Sequence, residues 1–171
     1  MPLATRFACI CSLLLIWAGC ASEDPQVLAL RQQFLLQQEP ADATTIEKAQ
    51  SELANDVNVT FAGTVGPGQH DVFVPGKASF LVSEIIPGTH NHGPDGDASS
   101  CPFCKRRAEQ AAMAEVQFVG PDDEVAAVDA RQLFGIESGD TVVIRGRGEF
   151  IEKLDLFRVT AEGIYVRESG E

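Results

Sequence analysis

Basic side chains are scarce in this chain of 171 residues, where 13 Lys and Arg stand against 25 Asp and Glu for a formal net charge of −12. So acidic a surface repels a phosphate backbone, which argues against nucleic acid as a partner. The basic run that would reinforce contact with anionic lipid is missing too, so any membrane attachment has to come from acyl chains. Long apolar runs are also lacking: the longest, Phe7 to Ala18, meets Gly19-Cys20 and then Ser22, Glu23, Asp24 and Pro25. A helix that crosses the hydrocarbon core needs about 20 mostly apolar residues, so this run is too short for one. Of five cysteines, Cys9 and Cys11 lie in that run and Cys20 directly follows it, which leaves Cys101 and Cys104 for chemistry. One pair is no disulfide scaffold, so the fold has to be held by packing. There is no Gly-x-Ser-x-Gly, no glycine-rich phosphate loop and no paired-carboxylate signature, and catalysis is not indicated.

What is present begins with Arg6 ahead of the apolar run, the layout of an export signal over residues 1–19. Trp17-Ala18-Gly19-Cys20 resembles the lipobox of bacterial lipoproteins, in which the cysteine is acylated and becomes the first mature residue. That resemblance implies a lipid on Cys20, export, and a chain tied to a membrane of the cell envelope on its periplasmic or extracellular face. Trp17 stands where the pattern usually has an aliphatic residue, which keeps cleavage after Ala21 and release as the alternative. Removing residues 1–19 takes away Arg6 and no acid, so the mature charge moves from −12 to −13.

Residues 20–55 read as a partly helical tether. Asp24 is placed to cap a helix with Pro25 in its first turn, Val27, Leu28, Arg31, Phe34 and Leu35 recur at helical spacing, and Pro40 sets the end at Glu39. Thr44, Thr45 and Glu47 start a second helix through Leu53. From Val57 the period changes to two and opens the folded domain, residues 56–171. Strands are expected at Val57 to Val65, Lys77 to Ile86, Met113 to Val119, Thr141 to Glu149 and Leu154 to Thr160, the last continued by Gly163 to Arg167 as a hairpin or bent extension. Pro102 to Ala112 is helical in composition, and Asp129 to Phe134 is a short helix or turn before Gly135.

Short strands punctuated by glycines, with one helix before the fourth, predict a mainly β, five-stranded Greek-key barrel of the OB type. The segment from Leu133 to Gly146, with Gly139-Asp140 leading into Thr141-Val142-Val143-Ile144, resembles the helix-to-strand region of OB-fold domains. From Val57 to Arg167 the chain also resembles a group of uncharacterised exported bacterial lipoproteins that share a Cys-Pro-Phe-Cys segment and an Asp-Ala-Arg triplet, here Asp129-Ala130-Arg131. That likeness implies a fold and no activity.

The richest chemistry lies in an insertion at residues 87–112. His90 and His92 are two apart and can present two imidazoles to one point, and Cys101 and Cys104, three apart, can do the same with two sulfurs. Two nitrogens and two sulfurs suit tetrahedral Zn²⁺, and copper as well, whereas Mg²⁺ and Ca²⁺ prefer oxygen. Four protein ligands leave no open position, so such a metal would be structural. Asp95 and Asp97 are candidates to orient the imidazoles. The four residues Cys101-Pro102-Phe103-Cys104 also resemble the dithiol of thioredoxin-like and glutaredoxin-like proteins, with Lys105, Arg106 and Arg107 to favour a thiolate, but without that family's βαβ frame. A plain structural disulfide is the third reading.

His70 reads as a surface residue able to join the metal site, and Asp129 with Arg131 as a cap and an ion pair. Arg145, Arg147 and Arg158 are expected either to form a basic stripe or to pair with Glu149, Glu152 and Asp155. Together these features predict a lipid-anchored envelope binding or assembly module with an unidentified protein or glycan partner. Its competitors are a thiol–disulfide oxidoreductase and a metal-free binder of oligosaccharide or peptide.

Overall fold

The computed structural model describes residues 24–54, 57–66, 72–85 and 110–168. Alternation from residue 58 gives β1 (Asn58–Val65), in which Val59, Phe61, Gly63 and Val65 are buried while Thr60, Ala62 and Thr64 stay partly exposed. Four more strands follow: β2 (Ser79–Ser83), β3 (Met113–Gln117), β4 (Thr141–Ile151) and β5 (Leu156–Val166). β1 pairs antiparallel with β2 and β4, β2 with β3, and β4 with β5, while β3 and β5 run parallel. The five strands therefore form a mixed sheet in the order β1-β2-β3-β5-β4, and the β4–β1 ladder closes it on itself. Closure leaves little unpaired strand edge to recruit other chains. At the bulge between Arg145 and Gly146 the β4 and β5 backbones crowd together: a Cβ on Gly146 would lie 2.3 Å from the Thr160 carbonyl oxygen.

Two helices precede the sheet and a third lies between β3 and β4. α1 (Pro25–Phe34) is capped by Asp24, whose carboxylate accepts the Gln26 N–H at 2.8 Å, with Pro25 in the first turn as expected. α2 (Ile46–Glu52) is capped by Thr45, and its first two N–H groups, of Ile46 and Glu47, donate to Glu84 just beyond β2 at 2.7 and 3.2 Å. α3 (Ala130–Phe134) starts at Asp129 and stops at Gly135, whose φ of 69° is the left-handed conformation that glycine adopts without strain.

The segment expected to be a tether belongs to the core. Val27, Leu30 and Phe34 of α1 and Ile46 and Ala49 of α2 are buried in the same apolar cluster as the strands. Phe118 receives Phe34 edge-on at 5.2 Å between ring centres, with Phe134 at 4.5 Å and Phe80 at 6.1 Å completing the stack. Arg31 fastens the outside by donating to the carbonyls of Leu133 and Gln132 at 2.7 and 2.9 Å. Thr44 fills the side of β1 that β2 leaves free, exchanging backbone bonds with Thr60 and Ala62.

Several boundaries move, each for a tertiary reason. α1 ends at Phe34 instead of Glu39 because Leu35 becomes extended and bridges Ile164 of β5, with the Leu36 N–H donating to the Ile164 carbonyl at 2.8 Å. β2 is shorter than 77–86 because Gly76, at φ 68°, closes a tight hairpin in which Phe73 bridges Phe80. β3 stops at Gln117, and Val119 instead bridges Val125. β5 is one strand with no break at Gly163; that glycine is there because Leu36 packs where its Cβ would be, 2.8 Å away. Gln110 to Ala112, the end of the stretch expected to be helical, is not helix, and its earlier part lies outside the described residues.

Candidate functional site

The four residues with metal-ligand chemistry, His90, His92, Cys101 and Cys104, lie outside the described residues, as do Asp95, Asp97, His70 and Cys20. The structure does give the two points from which the insertion departs and returns. β2 and β3 pair through Ser83↔Met113, and one further backbone bond runs from the Glu84 N–H to the Ala112 carbonyl at 2.8 Å. The two ends of the insertion, at Glu84 and Ala112, are therefore held together, and the residues between 86 and 109 lie outside the described residues. The exit is fixed firmly, because the Glu84 carboxylate is bound by the start of α2. Among the described residues no group of three or more His, Cys, Asp or Glu is arranged to hold a metal.

Arg158, on the outer face of β5, ion-pairs with Glu115 of β3 at 2.8 Å and with Glu149 of β4 at 3.7 Å. Only the Glu149 contact was expected. Arg145 and Arg147 have no ion-pair partner among the described residues, contrary to the expected pairing with Glu149, Glu152 and Asp155. The register explains this: Arg147 stands between Asn58 and Thr160, and Arg145 opposite Thr60 and Gly163, none of them acidic. Glu152 and Asp155 belong to the turn beyond these rungs.

Arg145 instead enters a polar cleft of about 440 Å³, together with Asp42, Thr44, Glu52, Thr60 and Glu162. The carboxylates come from the α1–α2 connection, from α2 and from the bulged part of β5, so no sequence spacing announces the cleft; it arises only when residues 42–52 fold across β1. A second cleft, of about 690 Å³, lies between the start of α1 and the loop after β3, with Val27, Leu30 and Val125 to Val128 in its lining and Asp24, Lys77 and Asp122 among its polar residues.

The Asp129-Ala130-Arg131 triplet is structural. The Asp129 carboxylate accepts the Arg131 N–H at 3.0 Å and holds the guanidinium through two more bonds of 3.0 Å, Ala130 is fully buried, and Arg131 lies over the Phe73 ring at 5.0 Å. Hydrogen bonding from Arg131 holds the Asp129 carboxyl below its ordinary value of 3.8. Arg167 does the same to Glu39, an exposed pair that ties the end of β5 to the chain after α1.

The chain matches no known protein-family profile, and no curated protein is similar to it in sequence. Among the described residues no helix is long and apolar enough to cross a membrane.

Proposed function

We propose that this protein is an exported, lipid-anchored binding or assembly module of the cell envelope, built on an OB-type barrel, whose Cys/His insertion holds one structural zinc or copper ion. The observation that carries the reading is the clamped exit at Ser83↔Met113. It holds the two ends of the insertion together, which supports a reading in which the two soft and two borderline donors of His90, His92, Cys101 and Cys104 converge on one ion. A metal there would organise a connection with few apolar residues of its own. The OB reading is supported by the closed order β1-β2-β3-β5-β4, with β3 parallel to β5 and a short helix between β3 and β4. The lipid anchor is supported by the sequence around Cys20 and by the short stretch from there to Asp24, where α1 begins.

Elemental analysis of the mature protein purified without chelator, with a thiol titration alongside, tests the metal. One equivalent of zinc or copper, lost in the His90→Ala/Cys101→Ser variant, is expected. A metal-free protein with Cys101 and Cys104 oxidised would overturn that part of the reading in favour of a disulfide. Reduction of a model disulfide by the thiol form, lost in Cys101→Ser, would instead establish the oxidoreductase. Intact mass after detergent extraction, with and without the Cys20→Ser substitution, tests the acyl chains.

A further inference from the structure

β4 and β5 are the longest strands among the described residues, and their hairpin runs past the end of the β1–β4 ladder. The β1–β4 ladder ends at Asn58↔Arg147, yet β4 and β5 stay paired through Phe150↔Phe157 and Ile151↔Leu156. On the far side, Ala114↔Phe157 sets Met113, the first residue of β3, beside Leu156. This tip is apolar. Leu154 at its apex is 65 % exposed, Met113 46 %, Val57 45 % and Phe150 40 %, so four of the six large apolar residues that reach solvent among those described gather at one end. Strand alternation puts Ile151 and Leu156, both half-buried, on the same outward face as Met113, and Phe150 on the opposite face, across from the buried Phe157. A single exposed leucine needs no explanation, but several exposed apolar residues on both faces and at the apex of one hairpin end are the mark of a contact surface.

We propose that the β4–β5 tip is the docking face for a protein partner whose contact segment is apolar and flanked by lysine or arginine. The charge around the tip selects that occupant. Glu149, Glu152 and Asp155 lie in or next to the turn, with Lys153 as its one basic residue, and Arg158, opposite Glu149, is already held by Glu115 and Glu149. A second copy of a chain with net charge −12 would bring like charge to like, and an anionic bilayer would do the same.

The test is site-specific photo-crosslinking in the full-length chain, expressed in the organism that makes it. A photoreactive residue replaces Leu154 in one variant and Glu162, exposed on β5 outside the patch, in a control. A discrete protein adduct is expected from position 154 and not from 162, with an adduct peptide that carries apolar residues flanked by Lys or Arg. Its yield should fall about tenfold when Met113→Ser and Phe150→Ser are added and the circular dichroism spectrum is unchanged. It should fall similarly when Glu149, Glu152 and Asp155 are each changed to Lys. No adduct above the control, adducts to lipid, adducts to a second copy, or indifference to the charge reversals would each overturn the proposal. The same adduct from a chain whose mass shows no lipid on Cys20 would leave the docking face standing and remove the anchor.

Discussion

Truncating Phe34 to Ala separates a spacer from a structural element, because residue 34 lies in the segment that the sequence presents as a tether. In the fold its ring is 4 % exposed and meets the edge of Phe118, which itself touches Phe80 and Phe134. Phe→Ala substitutions in cores cost about 3–5 kcal/mol, counting lost transfer energy and the cavity left behind. Phe34 lies on an outer helix that can relax inward, so the lower half of that range applies, about 3 kcal/mol. For a domain of this size each kcal/mol moves Tm by about 2–4 °C, which gives a drop of about 10 °C. Leu28→Ala is the internal control: the same helix, but a side chain 39 % exposed, with an expected effect within about 0.5 kcal/mol. The assay is thermal unfolding followed by far-UV circular dichroism on the mature chain, with urea titration to confirm that one transition is seen. If Phe34→Ala and Leu28→Ala shift Tm equally, or neither shifts it, α1 is not part of the cooperative unit and the packing argument fails.

Gly146→Ala should destabilise by about 2–3 kcal/mol, since its Cβ would meet backbone 2.3 Å away that can only move by opening the β4–β5 ladder; a fall of about 1 M in the urea midpoint is expected. Ser79→Ala should be neutral or stabilising, by up to about 1 kcal/mol, because the Ser79 hydroxyl is buried with no hydrogen-bond partner among the described residues; a clear loss of stability would show that the hydroxyl is bonded after all. Asp129→Asn keeps a cap on α3 but removes the charge that faces Arg131. The folded pKa of Asp129 lies below its ordinary value of 3.8, so its contribution is present above about pH 4 and is lost as pH falls through the folded pKa. Wild type and variant should differ in Tm at pH 7 and converge near pH 2, and a difference independent of pH would refute the ion pair as its source.

How much of this fold could be read from the chain depends on whether local or tertiary forces set each feature. Asp24 with Pro25, Thr45 with Glu47, and Asp129 with Gly135 sit at helix ends whose chemistry is local, and those helices begin where expected. Period-two alternation marked β1, because burial of one face imprints itself on the residues directly, and each of the other four strands overlaps the stretch expected for it. Strand and helix ends were misjudged where a distant segment supplies the partner: Leu35 is drawn out of helix by Ile164, and β5 runs through Gly163 because Leu36 covers it. The tether reading failed for the same reason. Val27, Leu30 and Phe34 make a narrow apolar stripe that looks too thin to fold alone, and it is; its complement is Phe118 and Leu133, remote in sequence.

The site divides along the same line. Cys101-x-x-Cys104 and His90-x-His92 are legible because ligand types at short spacing are local chemistry, and what the fold adds is a common point of departure, Ser83↔Met113. The polar cleft around Arg145 carried no such signal, since Asp42, Glu52 and Glu162 reach it from three separate segments. The hairpin tip did leave a trace. Phe150 and Ile151 are consecutive apolar residues at the end of a strand that had alternated Arg145, Arg147 and Glu149 with glycines, and Leu154 follows within an otherwise charged turn. Alternation reports one buried face; its failure where β4 runs past the end of β1 means that both faces have turned apolar. Such a break in a projecting hairpin is written in the order of the residues themselves, and it directs attention to position 154 rather than to the guanidinium stripe that charge alone would have favoured.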